Sequence, residues 1–391
     1  MELIIGQFND SYPPIMDGVA NVVRNYAYFL NKKYATTYVI TPSYPNYKDD
    51  EEFEVIRYFS IPLILRPPYR LGIPFFDLSA MKKIKKIPFS IVHAHSPFSS
   101  GLLALKIARE RKIPIVATFH TKYYDDFKSA TKSDLLAKIG TRIIVEFYYQ
   151  VDEVWTVNLA TAQTLREYGF KGRIGIVPNG CDFIPPSNLE EYKKKIDEIY
   201  NLTSKETVFL YVGQLISQKN LELLIYSLKY LKDVGINFKM FIVGTGKEEG
   251  YFKELVKKLN LDKLIIFTGK ILDRELLKSF YARADLFLFP SLYDTSGIVV
   301  QEASSMKCPS LLIEGASASE GIIDNFNGFL SKNDPILYAK KIKEIISDRE
   351  NLKRVGENAQ RTIYKDWESI IDEVAERYKE IIKNYKLKGN I

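Results

Sequence analysis

The chain has 391 residues, 46% apolar and 26% charged, with 26 Tyr and 23 Phe. That length suits two domains, and so much aromatic surface excludes a disordered chain. The net charge is only +7, with 23 basic against 18 acidic residues in 1–185. A dedicated nucleic-acid binder concentrates more basic charge on one element, so no nucleic-acid partner is expected. An anionic ligand or an acidic membrane surface is the better match.

Two cysteines, Cys181 and Cys308, make neither a disulfide framework nor a zinc set, which points to a reducing, cytoplasmic setting. The apolar run at 1–8 is too short for a signal peptide. No apolar stretch approaches the roughly 18 residues that span a bilayer.

In chain order, short apolar runs alternate with helical periodicity. Residues 3–8 and 38–41 read as buried strands around a helix marked by Val19, Val22, Val23, Tyr26 and Leu30. Strands at 91–94 and 113–118 flank a helix at 101–112, and strands follow at 153–157 and 175–177. A hinge is expected at Ile184-Pro185-Pro186-Ser187-Asn188. The alternation then restarts with a helix at 192–200, a strand at 207–212 and a helix at 221–231. Strands at 238–243, 264–267, 286–289 and 310–313 follow, and a last helix covers about 367–385. This pattern predicts an α/β chain with two Rossmann-like parallel-sheet domains facing a cleft. The expected domains are 1–184, with the last helix (367–386) packed back on it, and 185–366.

Ligands of open parallel sheets bind at the carboxyl ends of strands. There the first strand leads to Asp17-Gly18-Val19 at a helix start, suited to a phosphate. Val243-Gly244-Thr245-Gly246 with Gly250 imitates a dinucleotide fingerprint, but the spacing is wrong and no acidic ribose ligand follows. His93 and His95 share one strand face, the spacing of a metal pair. Too few further ligands lie near in sequence, so no metal site is expected. His120 is the best single catalytic candidate. In the second half, Asp294 stands on a loop before the amides of Ser296, Gly297 and Ile298, and Glu302 lies about one turn into the next helix. Carboxylates accept from sugar hydroxyls, and helix-start amides donate to an anion. Lys219, near another helix start, is a point charge suited to phosphate. Glu302 is expected to contribute little to the core.

These residues lie in motifs that resemble the retaining glycosyltransferases of family 4, enzymes of GT-B fold, and the resemblance covers essentially the whole chain. The pieces are D-G-V at 17–19, H-A-H-S-P at 93–97, A-T-F-H-T at 117–121 and P-N-G at 178–180. V-G-Q-L-I-S-Q-K-N at 212–220, V-G-T-G at 243–246, F-P-S-L-Y-D-T-S-G-I-V-V-Q-E-A at 289–303 and D-N-F-N-G-F-L at 324–330 complete the set. The resemblance implies a nucleotide-sugar donor held mainly by the second domain and an acceptor held by the first. Glu302 matches the glutamate on the donor ribose, and Asp294 replaces its partner glutamate near the sugar hydroxyls. Lys219 and Gly18 match residues at the diphosphate, and His120 the histidine beside the donor sugar. Gln214 stands where most relatives have an arginine on the diphosphate, so one positive charge is missing. Ile271 is counted with the donor-binding set, and His95 and Tyr123 with the acceptor side.

The implied reaction moves a hexose from a UDP-sugar to a lipid or sugar hydroxyl, with retention and without metal or cofactor. A nucleotide-sugar epimerase of the same fold and a non-catalytic nucleotide-sugar-binding module are the alternatives. Within 61–89, Arg66, Arg70, Lys82, Lys83, Lys85 and Lys86 accompany Leu63, Ile64, Leu65, Ile73, Phe75 and Phe76 against one acid, Asp77. Leu78, Met81 and Ile84 would line the apolar side of a short helix there, the composition of a peripheral membrane segment. The alternative is a helix packed on the sheet with a solvated lysine face.

Overall fold

A computed structural model of the chain describes residues 3–15, 17–64, 67–203 and 205–389. Leu65 and Arg66 lie outside the described residues. The chain divides into two compact units, Met1–Asn179 with Trp367–Ile391, and Gly180–Asp366.

The first unit runs β1 (Ile4–Phe8), α1 (Gly18–Lys33), β2 (Thr36–Pro42), β3 (Glu54–Tyr58), β4 (Ser60–Pro62), β5 (Arg70–Gly72), α2 (Leu78–Lys86) and β6 (Ile91–Ala94). It continues with α3 (Ser99–Arg111), β7 (Ile115–Phe119), α4 (Tyr123–Thr131), α5 (Asp134–Tyr148), β8 (Glu153–Thr156), α6 (Leu159–Glu167) and β9 (Gly175–Ile176). Seven parallel strands take the order β3-β2-β1-β6-β7-β8-β9, so the order reverses between β1 and β6. The near-continuous apolar runs β6 and β7 are buried on both faces, as a parallel sheet covered by helices requires.

The second unit runs α7 (Leu189–Tyr200), β10 (Val208–Val212), α8 (Leu221–Asp233), β11 (Lys239–Val243), α9 (Glu249–Lys258), β12 (Ile265–Gly269) and α10 (Arg274–Arg283). Then come β13 (Leu286–Phe289), α11 (Ile298–Ser305), β14 (Ser310–Ile313), β15 (Phe329–Ser331), α12 (Pro335–Ile346) and α13 (Arg349–Thr362). Its six parallel strands take the order β12-β11-β10-β13-β14-β15, with the reversal between β10 and β13.

The last helix, α14 (Trp367–Gly389), belongs to the first unit. Tyr378 stacks on Trp155 at 5.6 Å, and Trp367 meets Tyr26 edge-on at 5.8 Å. The boundary between the units falls at Asn179, earlier than the Pro-rich stretch at 184–188 suggests. Cys181 bridges to Asp366, and Phe183 is buried against Tyr281, so this stretch already belongs to the second core.

The short helix at 78–86 takes the packed alternative to the interfacial reading. Ala80, Met81 and Ile84 of α2 are buried in the first core, while Leu78 is exposed. Lys82, Lys83, Lys85 and Lys86 are exposed, so α2 is a packed helix with a solvated basic face. Strands β3 and β15 carry no clear alternation, because β3 mixes charges with apolar residues and β15 is three residues long.

Candidate active site

At the reversal point of the second sheet, the loops after β10 and β13 bring Lys219 and Asp294 together. Lys219 is buried, and its ammonium donates to Asp294 Oδ1 while standing 5.6 Å from the centre of the Tyr293 ring. Asp294 Oδ2 is buried with no hydrogen-bond partner. A buried carboxylate oxygen left without a donor is an acceptor waiting for a hydroxyl.

The loop carrying Gln214 is clamped from behind by the V-G-T-G turn. Leu215 N–H donates to Thr245 O at 3.0 Å, and Gly213 N–H to Val243 O at 3.0 Å. A Cβ at Gly244 would lie 1.9 Å from the Gly213 carbonyl, and Gly244 has φ +138. The glycine is there for close backbone approach, not for a dinucleotide. Gln214 itself is exposed.

Three residues beyond Asp294, Gly297 starts α11 at φ +54 with no side-chain cap. Most helices here begin on an Asp, Asn or Ser cap, such as Asp273 on α10 and Asp334 on α12. On α11, Ile298 is the first helical residue, and the first-turn amides with the positive end of the dipole form an anion-ready terminus.

Glu302 has partners of its own. It is buried; Oε1 accepts from Arg274 at 2.9 Å and Oε2 from the fully buried Tyr281 hydroxyl at 2.8 Å. Burial lifts its carboxyl above the usual range, and the Arg274 charge opposes that. Arg274 also pairs with Asp182 and lies 4.2 Å from the centre of the Phe183 ring. Glu302 is therefore part of the packing between α10 and α11, contrary to the expectation that it adds little to the core. Two lone pairs on each carboxylate oxygen still leave acceptor capacity. Ile271, just past β12, packs on the second core.

In the first unit the period of two places Gln7, His93, His95 and Thr118 on one sheet face. His93 and His95 stack at 4.0 Å, and His95 and His120 at 5.4 Å. Gln7 Oε1 lies 2.7 Å from His95 Nε2 and can only accept, so His95 carries its proton on Nε2. His95 Nδ1 then accepts from His120 Nε2–H at 3.1 Å. His93 bonds Tyr378 at 2.5 Å and Thr118 at 2.7 Å. Burial lowers all three pKa values, that of His120 to about 3, so the rings are neutral. The His93–His95 pair is thus a protein-satisfied stack. Among the described residues no group of three or more His, Cys, Asp or Glu is placed to hold a metal.

Two expected acceptor-side residues are interior. His95 has both ring nitrogens engaged, so it reaches a ligand only through His120. Tyr123 opens α4 with its ring buried against Phe98 and Phe119. Gly18 is the first residue of α1, capped by Asp17, whose Oδ1 accepts from Ala20 N at 2.7 Å. A Cβ at Gly18 would meet nothing within 4 Å, so the chain itself imposes no demand for glycine there.

Sequence reasoning missed Arg274, Tyr281, Gln7 and the role of Asp10. Asp10 accepts from Ser96 and Ser99 hydroxyls and from Ser100 N at 3.1 Å, capping α3 from the end of β1. Only its place at a strand end signals it.

Residues 16–183 match the family described as Glycosyltransferase Family 4, and residues 192–362 match Glycosyl transferases group 1. Alpha-monoglucosyldiacylglycerol synthase of Streptococcus pneumoniae is 26% identical over 78% of this chain and 70% of its own. Its namesake from Acholeplasma laidlawii is 25% identical over 90% and 89%. Anabaena HepE, solved in complex with UDP, superposes with a TM-score of 0.76 over 97% of this chain and 100% of its own, at 18% identity. Two doubly wound units of this kind have the GT-B fold, and the family matches make the chain a glycosyltransferase. The chain belongs to the family 4 glycosyltransferases and transfers sugar from a nucleotide-sugar donor.

Proposed function

We propose that the chain moves glucose from UDP-glucose to a lipid hydroxyl, keeping the anomeric configuration. The observation that carries this is the Lys219–Asp294 pair standing beside the uncapped start of α11 at the sheet's reversal point. An incoming diphosphate competes with Asp294 for the Lys219 ammonium. Lys219 and the α11 amides then face the leaving group as its charge grows, already oriented before reaction. Asp294, released and with an oxygen lacking a donor, accepts from a sugar hydroxyl. Glu302 accepts from the ribose. The acceptor attacks on the face the diphosphate leaves, and a phosphate oxygen takes its proton; no metal is required for these steps.

Lipid as acceptor is supported by the names of the two synthases and by the surface of the first unit. Ile61, Leu63, Ile64, Phe75, Phe76 and Leu78 are exposed, next to the basic face of α2. Among the described residues no helix is long and apolar enough to cross a membrane, so such contact would be peripheral.

Unfolding midpoints with UDP and with GDP test the donor. UDP at 100 times its dissociation constant should stabilise the second unit by about 2.7 kcal/mol. Stabilisation by GDP and not by UDP would contradict the uridine assignment.

A further inference from the structure

We propose that Asn220 is a positioning residue of the transfer reaction: its side-chain amide ties together the loops that bring Lys219 and Asp294 into contact. This rests on the reading that Lys219 faces the leaving diphosphate. Asn220 begins α8 in the left-handed region, at φ +61, which asparagine tolerates better than most side chains. An asparagine at a helix start ordinarily turns its side-chain oxygen onto the first-turn amides. Asn158 does so on α6, accepting from Thr161 N at 2.8 Å, and Asn188 does so on α7, accepting from Glu190 N at 3.2 Å. Asn220 makes no such bond on α8. Its side chain is committed elsewhere.

Asn220 Nδ2 donates to Pro290 O at 3.2 Å and to Asn333 Oδ1 at 2.9 Å. Pro290 directly follows β13, and Asn333 lies just past β15. One amide group, with a hydrogen for each acceptor, therefore joins the loops after β10, β13 and β15. Lys219 is the residue before Asn220, and Asp294 stands on the loop at 290–297 that Pro290 opens. The bond to Pro290 thus fixes the roots of both partners. A long lysine side chain and a carboxylate on an irregular loop are only as well placed as the backbones that carry them.

The loop after β10 is tied on its other side as well. Ser217 opens the single 3₁₀ turn Ser217–Lys219, and its hydroxyl donates to Glu248 at 2.6 Å, beyond β11. In the sheet, β11 flanks β10 on one side and β13 on the other. Glu248 and Asn220 therefore hold the Lys219 turn from both directions. The Asn220 bonds matter most when the ion pair is open. A diphosphate that takes the Lys219 ammonium from Asp294 removes the contact between the two side chains. The uncharged bonds of Asn220 do not compete with that ligand, so they keep both loops in register while charge grows on the leaving group.

The experiment uses the full chain, UDP-glucose and vesicles containing diacylglycerol. Asn220→Gly keeps the left-handed backbone and removes the amide, and the fold should survive because the side chain caps nothing on α8. Turnover should fall roughly tenfold or more, the cost of a misplaced charge, while the dissociation constant of UDP changes far less. A double-substitution cycle supplies the readout that a merely structural role would not move. In a Lys219→Ala background, Asn220→Gly should cause no further loss, because with the ammonium gone its placement no longer matters. Wild-type turnover in Asn220→Gly overturns the proposal, as do equal losses with and without Lys219; either result leaves Lys219 at the diphosphate. UDP binding that weakens as much as turnover would make Asn220 part of donor binding and also overturn it. Undiminished turnover in Lys219→Ala removes Lys219 from the leaving group, and the underlying reading falls together with this one.

Discussion

Glu302 holds Arg274 and Tyr281 and is proposed to hold the donor ribose, and different substitutions separate the two. Alanine removes the acceptor of Arg274 and of the fully buried Tyr281 hydroxyl. An orphaned buried hydroxyl costs about 1–3 kcal/mol, and breaking a buried ion pair about 3–5 kcal/mol. Arg274 keeps Asp182 and is partly exposed, which puts Glu302→Ala near the low end, about 3 kcal/mol. Glutamine preserves the shape: its oxygen accepts from Arg274, and the Tyr281 hydroxyl rotates to accept from its NH₂. Glu302→Gln should therefore lose no more than about 1 kcal/mol of stability. It still loses charge-assisted bonds to the ribose, about 1.5–3 kcal/mol, so UDP should bind roughly 10- to 150-fold more weakly. Urea unfolding and calorimetric titration with UDP read the two effects. Wild-type UDP affinity in Glu302→Gln would remove Glu302 from the ribose site, and wild-type stability in Glu302→Ala would refute the buried network.

Lys219→Ala should cut turnover on the order of 100-fold and weaken UDP binding less, as expected of a charge that acts mainly on the leaving group; steady-state kinetics decide it. Gln214→Arg, at an exposed position, should keep the fold and tighten UDP binding in the same titration. Gly297→Ala forces a side chain to φ +54 with Ala318 and Val300 carbons 3.2 Å away, and should cost about 1–2 kcal/mol in urea unfolding and loosen UDP. Because the pKa values of His93, His95 and His120 are lowered in the folded state, the unfolded chain binds their protons first as pH falls through about 6.5. Stability is then full above that pH and declines below it, by about 4 kcal/mol between pH 7.5 and 5.5 for three histidines. A flat urea midpoint over that interval would contradict three neutral buried rings.

The strand–helix alternation was legible because parallel strands buried on both faces are nearly unbroken apolar runs, as in Ile91–Ala94 and Leu286–Phe289. Lys219, Asp294 and Gly297 could be found because loops at strand ends carry little structural demand, so polar residues there stand out. Arg274 and Tyr281 could not: they lie on a helix, at spacings that periodicity assigns to an ordinary face and core. For Met81 and Ile84 the sequence left two readings open. A three-residue spacing gives an apolar side but not what it faces, and here it faces the sheet.

The central claim is retaining transfer from UDP-glucose to a lipid hydroxyl, and product stereochemistry tests it most directly. The protein is incubated with UDP-glucose, excess EDTA and anionic vesicles containing diacylglycerol, and the anomeric proton of the isolated glycolipid is read by NMR. An α-linked glucolipid formed at undiminished rate in EDTA is the expected result. A β-linked product, or turnover that EDTA abolishes, would contradict the mechanism built on Lys219, Asp294 and the start of α11.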